Sequence, residues 1–187
     1  MPEIIRRTGT VLYASKTACN LMRARAVPEA HLHEIHPGER LEFPGGVRVT
    51  VLESKHMEPV LHSGFYDRVP ERVSDKADWL CGEVFAFLIE WDRLRILNAG
   101  SANLHLPAVD GLECDCFICG ISRWKPGFPE LLRHIRFRTL IPVHHDEFTL
   151  PLDCFRLRDD FARLRQAWPE LRGRELPVLQ FTALQPS

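Results

Sequence analysis

Two histidines stand directly after predicted strands, a common way for an α/β protein to present imidazoles that bind metal or transfer protons. His144 ends the apolar run over residues 139–143, and His56 follows the alternating run over residues 47–52. If both strands end at one sheet edge, the two imidazoles can converge on one site. Polar residues that could join them are His62, His105, His145, Asp146 and Glu147. The alternative is a strand that ends in a solvated polar turn.

A second histidine group, His31, His33 and His36, has the spacing His-x-His-x-x-His. On a strand the first two side chains would share one face and could clip a metal, whereas His36 would point to the opposite face. The segment lies between a helix end and a Pro-Gly turn. An exposed edge strand is therefore the favoured interpretation.

Three cysteines, Cys114, Cys116 and Cys119, form another candidate ligand group. A structural zinc site needs four donors, which usually come in pairs from two loops. These cysteines fall inside a near-continuous apolar run, where free cysteine behaves as a small hydrophobic residue. Buried strand packing is therefore favoured over metal binding.

Alternating strand and helix patterns predict a layered α/β domain that positions these groups. The predicted strands are residues 10–14, 31–35, 41–43, 47–52, 84–91, 95–97, 115–121, 139–143 and 177–181. The predicted helices are residues 15–25, capped by Ser15, residues 129–135 and residues 157–168. No helix is expected before the first strand. Residues 57–81 lack a clear period, which favours a long loop that shapes a pocket, with Phe65, Tyr66 and Trp79 as lining residues.

The composition excludes several classes of partner. The 187 residues carry a net charge of −1 and scattered arginines, so neither nucleic acid nor a membrane is an expected partner. No stretch approaches the ~20 apolar residues of a membrane span, and no signal peptide is predicted. Six cysteines in a chain of this size do not indicate a disulfide framework. We therefore expect a cytoplasmic protein with reduced thiols.

Three short motifs, in this order and spacing, resemble the metallo-β-lactamase-fold hydrolases, in particular their lactonase-like branch. They are Ser54-Lys55-His56 after a strand, Arg-Ile-Leu-Asn-Ala-Gly-Ser over residues 95–101, and Ile141-Pro142-Val143-His144. The resemblance covers nearly the whole chain from Thr8 onward. It implies a four-layer αββα sandwich with mixed sheets. It also implies two metal ions, often zinc, that activate a water to hydrolyse a small-molecule lactone, ester, phosphoester or amide.

By the same resemblance His56 is the lone histidine of the first metal site, and His144 is the last histidine of the second. The family's main signature, His-x-His-x-Asp-His on a loop after an early strand, is lacking. Residues 31–36 imitate its spacing, but Ile35 replaces the aspartate, and Gly100 stands where the bridging aspartate is expected. We therefore expect an incomplete sandwich, in which residues 1–187 form a single domain whose N-terminal part is missing. Its open sheet edge favours homo-oligomers.

Three functions stay open from the sequence. The first is a metal-dependent hydrolase that is impaired or incomplete as this chain. The second is a non-catalytic binding or assembly module of the same fold that has lost its metals. The third is a structural zinc protein built on the three cysteines. Tight stoichiometric zinc would exclude the second, and unchanged stability of Cys116→Ser would exclude the third.

Overall fold

The computed structural model describes residues 1–56, 60, 62–100, 103–120 and 132–143, with residues 162, 165, 166 and 169 near the C-terminus. His144 and the polar residues after it lie outside the described residues. The predicted strand over residues 177–181 and most of the predicted helix over residues 157–168 also lie outside them, as do residues 129–131 of the predicted helix 129–135.

The described elements alternate short helices with strands. The helices are α1 (Pro2–Thr8), α2 (Lys16–Ala24) and α3 (Leu106–Val109), with 3₁₀ turns at Glu29–His31 and Lys76–Asp78. The strands are β1 (Leu12–Ala14), β2 (Leu32–Glu34), β3 (Arg40–Phe43), β4 (Val47–Lys55), β5 (Phe85–Trp91), β6 (Leu94–Gly100), β7 (Asn103–Leu104), β8 (Glu113–Gly120) and β9 (Arg136–Val143). All of these strands except β7 match predicted ones, with shifts at their ends. Within the described residues, no helix is both long and apolar enough to cross a membrane.

The helix α1 shows that the expectation of no helix before the first strand is wrong. Pro2 occupies the first turn, where its missing N–H costs little, and Glu3 lies at the positive end of the helix dipole, with two arginines in the last turn. Gly9 ends the helix in the left-handed conformation, with φ 68°, and its N–H donates to the Ile5 carbonyl. Only Ile5 is buried, so a helix of seven residues shows almost no apolar periodicity.

The strands β3 to β9 form one mixed sheet in the order β3–β4–β5–β6–β8–β9, and β7 pairs with β4. Neighbours are antiparallel from β3 to β6, whereas β6, β8 and β9 are parallel. The predicted hairpin over residues 84–97 is confirmed as β5 and β6, which turn at Asp92. Asp92 has φ 53°, a conformation that aspartate tolerates better than most residues.

The core of this sheet is a row of side chains that crosses three parallel strands. Leu97 of β6 pairs with Phe117 of β8, which pairs with Leu140 of β9, and all three side chains are fully buried. Side chains two residues apart share a face, so Cys114 and Cys116 lie on the opposite face of β8 from Phe117. They are buried too. This confirms the prediction that the cysteine run is a strand buried on both faces.

A second, smaller core lies between α1, α2 and the parallel pair of strands β1 and β2. Its buried members are Ile5, Leu21, Met22, Val27 and Val73. Val73 belongs to the long segment between β4 and β5, so this segment helps to cover the helices. The pair β1–β2 is a separate two-stranded sheet, and with the helices and the main sheet it gives the predicted layered α/β arrangement.

We predict that Leu97→Ala lowers the free energy of unfolding by about 2–5 kcal/mol, because its neighbours in the row are held by backbone pairing and cannot collapse into the void. Urea denaturation followed by circular dichroism measures the difference. The exposed loop substitution Val69→Ala is the control and should change stability by less than about 0.5 kcal/mol. Equal losses in the two variants would contradict a central role for the row.

Candidate functional site

The C-terminal ends of β4, β6, β8 and β9 lie at one edge of the sheet, because these four strands run in the same direction. His56 directly follows β4, and β9 ends at Val143. The pairing register sets Ile141 level with Val51, so β4, which ends at Lys55, extends two residues further past this level than β9, which ends at Val143. They are four strand steps apart, which is about 19 Å at ~4.8 Å per step. The convergence of His56 with His144 stays a prediction, since His144 is not among the described residues.

His56 lines a cavity of about 660 Å³ at this edge. The wall is formed by the end of β4, the turn after β2, and two parts of the segment between β4 and β5. Its apolar lining residues are Ile35, Pro37, Val60, Phe65, Val84 and Phe85. Its charged or titratable lining residues are Lys16, His36, Glu53, Lys55, His56, Cys81 and Glu83. A cavity of this size and mixed lining suits a small organic molecule.

Of the three aromatic residues predicted to line the pocket, Phe65 does so. Tyr66 instead packs against the second core, and its hydroxyl donates to the Asp78 carbonyl at 3.0 Å. Trp79 is largely exposed and is not part of the lining. The segment between β4 and β5 therefore shapes the cavity as predicted, but with fewer of its aromatic side chains.

His105 reaches the same side of the sheet as His56, as the sequence suggested. Its Nε2 lies 3.6 Å from Glu53 Oε2, and Glu53 lines the cavity. The short strand β7, which precedes His105, pairs with the end of β4 and brings the ring there. The ring is largely buried, and its Nδ1 has no hydrogen-bond partner among the described residues.

The back of the cavity rests on the start of α2, an arrangement that the sequence did not reveal. Gly82 has φ 66°, and a Cβ at this position would lie 2.6 Å from the Thr17 Cβ. Only glycine therefore allows residues 81–84 to approach the helix so closely. The Glu83 carboxylate then accepts a hydrogen bond from the Thr17 backbone N–H at 3.2 Å. The sequence predicted Ser15 as the N-cap of α2, but it did not indicate that Glu83, far along the chain, also accepts a hydrogen bond from the first turn of this helix.

The pKa of Glu83 lies below its ordinary value of 4.5. Burial acts to raise this pKa, but the hydrogen bonds that the carboxylate accepts outweigh the effect. They come from its own backbone N–H, from the Thr17 backbone N–H and from the hydroxyls of Thr17 and Ser15. Glu83 is thus held as a carboxylate at the wall of the cavity.

The polar side chains at the corner between β1 and α2 are engaged in holding the backbone. Ser15 Oγ accepts from the Ala18 N–H at 3.2 Å, which confirms the predicted N-cap. Thr17 Oγ1 accepts from the Tyr66 N–H at 3.1 Å. Asn20 Nδ2 donates to the Tyr66 carbonyl at 2.7 Å. Both Thr17 and Asn20 are buried, so this corner fastens the β4–β5 segment to the helix.

Of the other histidine candidates, His36 lines the cavity, and the buried Nδ1 of His31 has no hydrogen-bond partner among the described residues. His33 Nε2 lies 2.8 Å from Glu39 Oε1, and its ring packs against Tyr13, while His31 belongs to the 3₁₀ turn before β2. Burial raises the pKa of Cys116 to about 11 and that of Cys119 to about 12, so both stay thiols at neutral pH. A thiol is a poor metal ligand compared with a thiolate.

The donors in the described part of the chain do not fit a metal ion by themselves. No three of its histidine, cysteine, aspartate or glutamate side chains form a group that could hold one. Lys16 and Lys55 also line the cavity beside His56, and their positive charge opposes a bound cation, although the Lys16 ammonium pairs with Asp67 at 3.4 Å. A binuclear centre would need most of its ligands from residues outside the described ranges.

Comparison with known proteins identifies the fold. No protein-family model and no curated protein matches the chain. Among solved structures, a candidate metal-dependent hydrolase from Parabacteroides distasonis aligns with a TM-score of 0.57 and 12% identity, over 93% of this chain and 69% of its own. The metallo hydrolase Igni18 from Ignicoccus hospitalis aligns with a TM-score of 0.60 and 14% identity, over 93% of this chain and 68% of its own.

A candidate zinc-dependent hydrolase of the metallo-β-lactamase superfamily from Thermotoga maritima aligns more loosely. Its TM-score is 0.41 at 16% identity, over 74% of this chain and 64% of its own. The first two alignments, together with the mixed sheet, confirm the predicted fold class: an α/β fold of metallo-β-lactamase type. This chain spans about two thirds of the length of those two neighbours.

We predict that Glu83→Gln lowers the free energy of unfolding at neutral pH and has a smaller effect in acid. Folding lowers the pKa of Glu83, so the carboxylate stabilises the folded state above its unfolded pKa of 4.5. This contribution is lost as the pH falls through the lower folded pKa. Urea denaturation of both proteins across the acid range measures the difference. Glu71→Gln, in the exposed part of the same segment, is the control, and a pH-independent loss in Glu83→Gln would contradict the assignment.

Proposed function

We propose that this chain is a small-molecule-binding protein of the metallo-β-lactamase fold, whose binding site is the cavity beside His56. The observation that carries the proposal is the cavity itself: about 660 Å³, with a largely apolar wall and convergent polar groups. Its position at the carboxyl ends of strands is the usual one for a ligand in an open α/β sheet. The lining carboxylates have partners, since Glu83 accepts from the Thr17 N–H and Glu53 lies beside His105. Lys55 then favours a ligand with an apolar body and one acidic group.

The corner after β1 supports a binding role without metal chemistry. The resemblance noted in the sequence places His-x-His-x-Asp-His on a loop after an early strand. In this chain β1 is an early strand, and residues 15–20 after it are Ser-Lys-Thr-Ala-Cys-Asn, without a histidine or a carboxylate. Lys16 lines the cavity, and the polar side chains around it hold the backbone. On this interpretation the metal ligands expected at this position were replaced.

The second candidate is the metal-dependent hydrolase that the sequence ranked first. Its support is the likeness to two hydrolases and the placement of His56 and the end of β9 at one sheet edge. His56 and His144 would then be metal ligands, with zinc as the expected ion. When bound, such ions would supply a nucleophilic hydroxide for a lactone, ester, phosphoester or amide. The remaining ligands would have to come from residues outside the described ranges.

A fluorescent probe with an apolar body and one acidic group, anilinonaphthalene sulfonate, tests the cavity. We expect saturable binding with a fluorescence increase in the native protein, because the probe exchanges water for the apolar wall. Val84→Trp places an indole in the cavity and should abolish binding. Val69→Trp, which adds the same side chain on the exposed loop, should leave it unchanged. Equal binding by both variants, each with native circular dichroism, would overturn the site.

Metal content distinguishes the two candidates. If binding without metal is correct, freshly purified protein contains far less than stoichiometric zinc, and chelation leaves the melting temperature unchanged. The protein also does not hydrolyse a panel of lactone, ester, phosphoester and amide substrates, with or without added zinc. Stoichiometric zinc that is lost in His56→Ala and retained in His134→Ala would establish the hydrolase instead. His134 is an exposed histidine paired with Asp110, so it controls for the loss of an imidazole.

A further inference from the structure

Four arginines that are scattered in the sequence meet at the opposite edge of the sheet. Arg93 and Arg95 stand at the start of β6, and Arg136 and Arg138 at the start of β9. Between them β8 begins with Glu113 and Asp115. The pairing register aligns Glu113 with Arg136 and brings the Arg95 backbone N–H 2.8 Å from Asp115 Oδ2.

Arg93 lies in the turn just before β6, and the other five of these side chains share one face of the sheet, because residues two apart on a strand point the same way and the register aligns the three strands. They line a groove of about 290 Å³, which we call the arginine groove. It faces away from the cavity beside His56: the eight residues of β8 separate the two edges by about 25 Å, at ~3.3 Å per residue. The arginine groove is thus independent of the proposed binding cavity.

The arginine groove carries more positive than negative charge. Arg136 pairs with Glu113 at 2.7 Å, and Arg138 lies 3.8 Å from the buried Asp115 carboxylate. The buried Nε of Arg95 lies 3.4 Å from Glu90 Oε1 of β5, an ion pair that does not meet hydrogen-bond geometry. Four guanidinium groups therefore face two carboxylates in the groove itself.

Arg93 has the weakest structural role of the four. It is exposed, and it has neither an ion pair nor a side-chain hydrogen bond within the described ranges. The carboxylates of β8 lie between the arginines of β6 and β9, and they already contact Arg136 and Arg138. An exposed Arg93 with no side-chain partner among the described residues is the feature that an anionic ligand would explain.

We propose that the arginine groove is a binding site for a small molecule that bears a phosphate or diphosphate group. Guanidinium forks match the oxygens of a phosphate group in bidentate geometry. The volume suits one or two phosphoryl groups and is at the lower end for organic ligands, so the rest of the ligand would extend over the exposed arginines. Asp115 and Glu113 fix the orientation of Arg138 and Arg136 toward the groove.

Isothermal titration of the full chain with inorganic pyrophosphate tests the proposal. We expect saturable binding that weakens as salt concentration rises, because the contacts are exposed ion pairs. Arg93→Ala should weaken binding about tenfold, the effect of losing one charge-assisted contact. It should not destabilise the free protein, since Arg93 has no partner there. Arg138→Ala should weaken binding by a similar factor.

The control is Arg40→Ala, which removes an exposed arginine from β3, outside the arginine groove. It should bind pyrophosphate as tightly as the unmodified chain does. Citrate serves as a polycarboxylate of similar size and should bind more weakly than pyrophosphate. Lack of pyrophosphate binding, equal losses in Arg40→Ala and Arg93→Ala, or tighter binding of citrate would each overturn the proposal.

Discussion

The buried row formed by Leu97, Phe117 and Leu140 is the contact on which the rest of the structure depends. Each of these side chains is directly opposite its neighbour on an adjacent parallel strand, and none is exposed to solvent. A slip of one residue in any of the three strands would turn its side chain to the other face. The row therefore fixes the register of β6, β8 and β9, and with it the height at which every strand begins and ends.

That register gives the sheet two chemically different edges. At one edge the carboxyl ends of β4, β6, β8 and β9 lead into irregular segments, and these enclose the cavity beside His56. At the other edge β8 begins with Glu113 and Asp115, which lie on the same face as Phe117. These two carboxylates stand between the four arginines of the groove. The cavity beside His56 and the arginine groove both follow from this arrangement, because parallel strands place their carboxyl ends at one edge of the sheet and their amino ends at the other.

The corner between β1 and α2 explains why fold and activity have to be considered separately. Two metal-dependent hydrolases share the fold at 12% and 14% identity, and fold alone does not define chemistry. Here the polar residues Ser15, Thr17 and Asn20 hold Tyr66 and the start of α2, and Lys16 lines the cavity while its ammonium pairs with Asp67. Because these side chains already hydrogen-bond to backbone groups, they are better suited to supporting the wall of a pocket than to binding a metal ion.

The sequence by itself determined the strands, the Ser15 cap, the buried cysteine run and the fold class, because these depend on periodicity and local hydrogen bonding. It also placed His56 at the end of a clear strand, and the structure puts that strand end at the cavity; the metal role of His56 stays a prediction. It did not predict α1, whose single buried side chain leaves no periodic pattern. Only the tertiary structure brought Glu83 to the start of α2 and four distant arginines to one groove. Those contacts join residues 20 to 66 positions apart, and strand order and register, which local sequence does not encode, decide them.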